Sequence, residues 1–242
     1  MNQGAWYDIN GVLYARVTSI LGVIRNPALE TWRGRLGNAA ANKTAREAAR
    51  IGTAVHGHIA RYIEKGERWK LSKKIPAGVG LALGAFDDYA KLHGAFGEQC
   101  LVEKTVWHES RGYAGTVDLM EPTVITDWKT AGSIKDTYWL QLSAYWQACI
   151  AMGIGAKIST LRIVRLDRNL GMFEQQDLPV EEALPFWDAF QGLLGFYGTW
   201  MRLTQTEEEL ELSSAEEAPS EDSDVQSQKP MGQTPVRHPF EM

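Results

Sequence analysis

The chain has 242 residues and 27.0 kDa, 44% hydrophobic and 23% charged, enough for one medium domain with a buried core. Its two cysteines, Cys100 and Cys149, exclude a disulfide framework, a four-cysteine zinc site and a four-cysteine iron–sulfur site. The net charge of −5 divides unevenly: residues 204–242 hold ten acids and two bases, and residues 31–74 hold eleven bases and three acids. The start lacks the basic-then-apolar pattern of a secretory signal, so a reducing cytoplasm is the expected compartment.

The first element is a hairpin. Trp6 to Ile9 and Val12 to Arg16 flank Asn10-Gly11, a favoured two-residue turn. Thr18 or Ser19 can cap a short helix ending near Arg25. Residues 28–65 read as mostly helical, Ala-rich from Ala39 to Ala49 and closed by Gly66. A further helix covers about 78–94. The hydrophobic period then changes from helical to alternating. Cys100 to Trp107, Tyr113 to Leu119 and Thr123 to Thr130 read as three consecutive strands, with turns at Arg111-Gly112 and Glu121-Pro122. A helix follows over Asp136 to Met152. The stretch from Thr137 to Ala156 has no charge and is long enough for a bilayer, but Gln141, Ser143 and Gln147 within it and the Gly153/Gly155 pair at its end make it a core helix. Ile158 to Leu166 and Met172 to Leu178 are strands, and Val180 to Leu203 a closing helix. Residues 204–242, rich in Ser, Glu, Pro and Gln, cannot bury enough apolar area to offset ordering entropy and read as an acidic disordered tail. The expected architecture is an α/β domain over 1–203, a mixed sheet built on a three-strand meander and flanked by helices, with an added N-terminal helical region.

The chemistry concentrates in the meander. Side chains alternate along a strand, so Ile125, Asp127 and Lys129 share one face and Val124, Thr126 and Trp128 the other. The preceding strand places Thr116 and Asp118 together, and the turn at Glu121-Pro122 brings Asp118 beside Asp127 as a cross-strand or diagonal neighbour. Two carboxylates this close repel unless a cation sits between them, and oxygen ligands suit Mg²⁺ or Mn²⁺. His56 follows Gly52 by four residues on a helix; His58, two positions on, faces elsewhere, so a paired-histidine site is not expected. Gln141 and Tyr145 share a face of the uncharged helix. Lys43, Arg46 and Arg50 fall at i, i+3 and i+7 on the basic helix, one face able to track phosphates.

In order along the chain stand Gly52-x-x-x-His56, Gly115-Thr116-Val117-Asp118, Asp127-Trp128-Lys129-Thr130 and Gln141-x-x-x-Tyr145. This series resembles the PD-(D/E)xK nuclease superfamily in its RecB-like branch. With Val17-Thr18-Ser19-Ile20-Leu21, Trp32 and Ile51-Gly52-Thr53 it looks most like the phage-type exonucleases. The resemblance spans about residues 12–180. It implies a restriction-endonuclease-like fold and a Mg²⁺- or Mn²⁺-dependent deoxyribonuclease, an exonuclease of linear DNA in phage or bacterial recombination or repair. Asp118 and Asp127 would bind the metal with His56 and the Trp128 carbonyl. Lys129 would position or activate the attacking water. Gln141 and Tyr145 would support the site or touch DNA, and Glu103 matches a less regular family acid. Relatives with an iron–sulfur cluster carry four cysteines, so that cluster is not expected here. No Walker motif is present, so no ATP is expected. DNA is the expected partner and a membrane is not. The acidic tail suits a single-strand annealing or single-strand-binding protein, and a homo-oligomer is left open. The rival readings are a site- or structure-specific endonuclease and a non-catalytic DNA-binding subunit on the same fold.

Overall fold

The computed structural model describes residues 5–24, 27–70 and 75–216. The hairpin forms as expected: β1 (Trp6–Ile9) pairs antiparallel with β2 (Val12–Arg16). Its turn places Asn10 at φ 55° and Gly11 at φ 80°, values that Asn and Gly accept and most residues do not. α1 (Val17–Leu21) starts at Arg16 without a side-chain cap, so neither Thr18 nor Ser19 caps it. The basic region divides into α2 (Pro27–Leu36) and α3 (Asn38–Lys65), broken at Gly37, whose φ of 82° leaves the helical region. Gly66 ends α3 in the left-handed conformation.

α4 (Ala77–His93) leads into the meander: β3 (Leu101–His108), β4 (Tyr113–Met120) and β5 (Val124–Lys129). α5 (Asp136–Ala151) crosses over to β6 (Thr160–Leu166), which pairs parallel with β5 and antiparallel with β7 (Phe173–Pro179). α6 (Leu184–Glu216) closes the described chain. It starts later than expected and continues past 203 into the segment read as a tail. Glu and Leu at 207–212 are good helix formers and can extend an existing helix without a new nucleus. The rest of that segment, 217–242, lies outside the described residues. No described helix is long and apolar enough to cross a membrane.

The sheet is mixed and covered on both faces, consistent with a restriction-endonuclease-like fold. One core cluster joins Val106, Val117 and Ile125 to α5 and α6 residues such as Leu142, Trp187 and Phe190. The other joins Leu119, Trp128 and Val164 to α3 and α4 residues such as Val55, Ile59, Leu83 and Phe86.

β4 is the hub. β3 runs along one of its edges from Leu101↔Met120 to His108↔Tyr113. Its other edge carries β2 at the start, through Ala15↔Tyr113 and Arg16↔Ala114, and β5 at the end, through Leu119↔Thr126 and Met120↔Ile125. Between those pairings, at 115–118, β4 has no strand on that side. The sheet is forked there, and groups from both helical layers can meet in the fork.

Candidate active site

Asp118 and Asp127 flank the mouth of the fork. The β4–β5 register points them at each other, but the ladder stops one pair short. Asp118 Oδ2 instead accepts the Trp128 backbone N–H at 2.8 Å, so a side chain satisfies the donor the ladder leaves behind. Both carboxylates are buried, 8% exposed for Asp118 and 3% for Asp127, and charged groups at such depth need partners.

His56 reaches Asp118 from α3. Its Nδ1 lies 3.3 Å from Asp118 Oδ1, and its Nε2 lies 2.9 Å from the Trp128 carbonyl oxygen. Burial disfavours the imidazolium, but the Asp118 carboxylate outweighs it and raises the His56 pKa to about 9. The same contact outweighs burial at Asp118 and holds its carboxyl below the usual range. His58 points elsewhere, its Nδ1 3.1 Å from Arg61.

Asp127 is gripped from the α5 side. Gln141 Nε2 donates to Asp127 Oδ1 and to the Tyr145 hydroxyl, each at 3.0 Å. Lys129 Nζ sits 2.7 Å from Asp127 Oδ2 and donates to Gln141 Oε1 at 3.0 Å. One amide thus fixes both the acid and the base, which is why the i, i+4 spacing of Gln141 and Tyr145 matters. Burial pushes the Asp127 pKa up to about 6, and Lys129 limits the rise. The Asp127 charge in turn outweighs burial at Lys129 and keeps its ammonium protonated. Gly115 lets α5 come this close: a Cβ there would stand 2.1 Å from Tyr145 Cε1.

Glu103 completes the cluster. The β3–β4 register runs Val102↔Leu119 and Lys104↔Val117, leaving Glu103 opposite Asp118. Ligand atoms of His56, Glu103 and Asp118 lie within 4.8 Å of one another. Partial burial and the Asp118 charge raise the Glu103 pKa. Like charges directly opposite on paired strands repel, and a divalent cation resolves that repulsion. The donor set, two carboxylates and an imidazole, fits Mg²⁺ or Mn²⁺.

The residues named from the sequence are brought together in part. His56, Glu103, Asp118, Asp127, Lys129, Gln141 and Tyr145 converge. The Trp128 carbonyl is at the site, where it accepts from His56. Lys43, Arg46 and Arg50 are exposed but lie elsewhere. A cleft of about 570 Å³ opens beside the cluster, and Thr44, Ala45, Ala48, Ala49, Gly52 and His56 form its α3 wall. At 100° per residue, the three bases stand about 150° around the helix from that wall. The cations on the cleft are Lys129, Lys135 and Arg168. Sequence reasoning missed Lys135, Arg168 and Tyr138, whose ring lies 4.7 Å from Lys129 Nζ. It also missed Tyr7, whose hydroxyl meets Thr116 Oγ1 at 2.8 Å in the open stretch of β4. Tyr138 stands three residues before Gln141 on the same face of α5, a spacing that could have found it; no spacing rule links the hairpin, the β5–α5 loop and the β6–β7 turn that supply Tyr7, Lys135 and Arg168, so those three carried no signal in the sequence.

No known family profile matches the chain, and no curated protein sequence is similar to it. Among solved structures, a crystal structure of LHK-Exo in complex with dAMP is similar at 14% identity, covering 66% of this chain and 92% of that chain, with a TM-score of 0.34. The geometry of the site stands independently of that coarse likeness.

Proposed function

We propose that this chain is a Mg²⁺- or Mn²⁺-dependent deoxyribonuclease of the RecB-like PD-(D/E)xK type, acting as an exonuclease on linear DNA. The observation that carries the reading is the convergence of His56, Glu103 and Asp118 beside the Asp127–Lys129–Gln141 triangle. A divalent cation supplies positive charge against the scissile phosphate and lowers the pKa of a nearby water. His56, Glu103 and Asp118 would hold it, with Asp127 at the edge of the same cluster. Lys129 is placed to orient the attacking water and to stabilise charge that grows on the phosphate oxygens. Gln141 bridges the Lys129 ammonium and the Asp127 carboxylate and fixes the orientation of their ion pair. The water oxygen forms the new P–O bond, the bridging P–O bond to the leaving sugar oxygen breaks, and that oxygen takes up a proton. Lys135 and Arg168 line the route by which a phosphate backbone reaches the site.

The test is digestion of linear, end-blocked linear and covalently closed circular DNA with Mg²⁺, Mn²⁺ or chelator. Degradation of free-ended linear DNA alone, dependent on metal, is expected. Cleavage of closed circles would assign an endonuclease, and no cleavage by metal-loaded, DNA-binding protein would assign a non-catalytic subunit.

A further inference from the structure

Glu103 has φ 47°, and the only other described non-glycine residue with positive φ is Asn10 in the hairpin turn. A glutamate has no local side-chain bond that favours this conformation, and in the middle of a strand it is strained. The strain coincides with a reversal of the sheet faces. In β3, Val102 packs with the α3–α4 cluster, whereas Val106, an even number of residues on, packs with the α5–α6 cluster. In β4, Val117 packs with the α5–α6 cluster and Leu119 with the other. Strict alternation would put each pair on one face. Both strands therefore change face at the Glu103–Asp118 pair: Asp118, which meets His56 on α3, and the next residue Leu119 lie on the α3–α4 side, while Val117 stays beneath α5. Two acids also face each other at that point, so backbone strain and charge repulsion act on the same residue pair.

We propose that this reversal is a metal-locked element: Glu103 is held in an unfavourable backbone conformation that the fold tolerates because a divalent cation, bound with Asp118 and His56, compensates for it. This rests on the reading of the site as a metal centre. Without metal, β3 at Glu103 is then a weak point of the sheet, and metal loading stiffens it.

The test compares Glu103→Ala, Glu103→Asn and Glu103→Gly with wild type by thermal denaturation in chelator, and by calorimetric titration with Mn²⁺. All three variants remove the carboxylate, but only Asn and Gly accept positive φ. At an ordinary strand position Asn and Gly have no advantage over Ala, and Gly weakens the strand. The expected result in chelator is the opposite order, with Asn and Gly melting about 2–4 °C above Ala. Each variant should also bind Mn²⁺ at least tenfold more weakly than wild type. Equal or lower melting of the Asn and Gly variants relative to Ala overturns the strained element. Unchanged Mn²⁺ affinity overturns its coupling to metal. Failure of the wild type itself to bind Mn²⁺ overturns the metal centre, and the melting order still decides separately whether Glu103 is strained.

Discussion

His56 Nε2 lies 2.9 Å from the Trp128 carbonyl oxygen, and this contact decides what the other ring nitrogen can do. A carbonyl only accepts, so Nε2 carries the hydrogen. Nδ1 then faces Asp118 Oδ1 at 3.3 Å, lone pair to lone pair unless a proton or a cation lies between them.

Without metal the proton takes that place. The folded pKa of His56, about 9, lies above its ordinary 6.5. A raised folded pKa contributes stability that is fully present below about 6.5 and lost as pH rises through about 9. The melting temperature of metal-free protein should therefore fall across that window. A divalent cation displaces the proton, so stabilisation by Mn²⁺ should grow over the same range. Melting curves at pH 6.5, 7.5 and 9, in chelator and in Mn²⁺, check both trends. A His56→Ala protein with the same chelator profile as wild type would contradict the assignment.

Lys129 holds a buried acid, so removing it should affect stability as well as cleavage. Lys129→Met leaves the Asp127 carboxylate without its cation, which costs about 3–5 kcal/mol when the acid is ionised. Asp127 titrates near 6 in the intact site and higher without Lys129. The loss of melting temperature should thus be large at pH 8 and small at pH 5. Asp127→Asn removes the charge and should fold at both pH values. Each variant should reduce cleavage by at least about 10²-fold. Near-normal cleavage by folded Asp127→Asn protein would exclude this site as the nuclease centre.

Gly115→Ala tests the packing of α5 on the fork. The new methyl would overlap the Tyr145 ring, which must shift and take Gln141 with it. A cost of about 1–3 kcal/mol and a fall in cleavage of about 10–100-fold are expected. Gly52→Ala is the control: its Cβ would meet only Thr130 Oγ1, at 3.5 Å, and in the interior of α3 it should stabilise by about 0.5–1 kcal/mol. Equal melting temperatures for the two variants would refute the close approach.

The cleft predicts which cations meet DNA. Lys135→Gln with Arg168→Gln should weaken non-specific binding and flatten its salt dependence by about 0.9 for each phosphate no longer neutralised. Lys43→Gln, Arg46→Gln and Arg50→Gln together remove more charge from a helix face that turns away from the cleft, and should change the slope less. Binding isotherms at several salt concentrations separate the two sets, and a larger slope change for the α3 triple variant would put DNA on the outer face instead.

Local chemistry in the sequence determined most of the elements and the candidate chemistry. Asn10-Gly11 could only be a tight turn, Gly66 a helix end, and alternation around Asp127 put that acid and Lys129 on one face. These follow from interactions within a few residues, which a sequence displays directly. The extension of α6 past 203 was missed because composition speaks of burial, and a helix already nucleated needs less of it. Only the tertiary structure decided the rest. The fork in β4 arises from three strands competing for two edges, the face reversal at Glu103 from one backbone angle, and the turning of Lys43, Arg46 and Arg50 away from the cleft from how α3 packs. Each depends on contacts between segments far apart in the chain, and the side-chain period along one element carries no record of them.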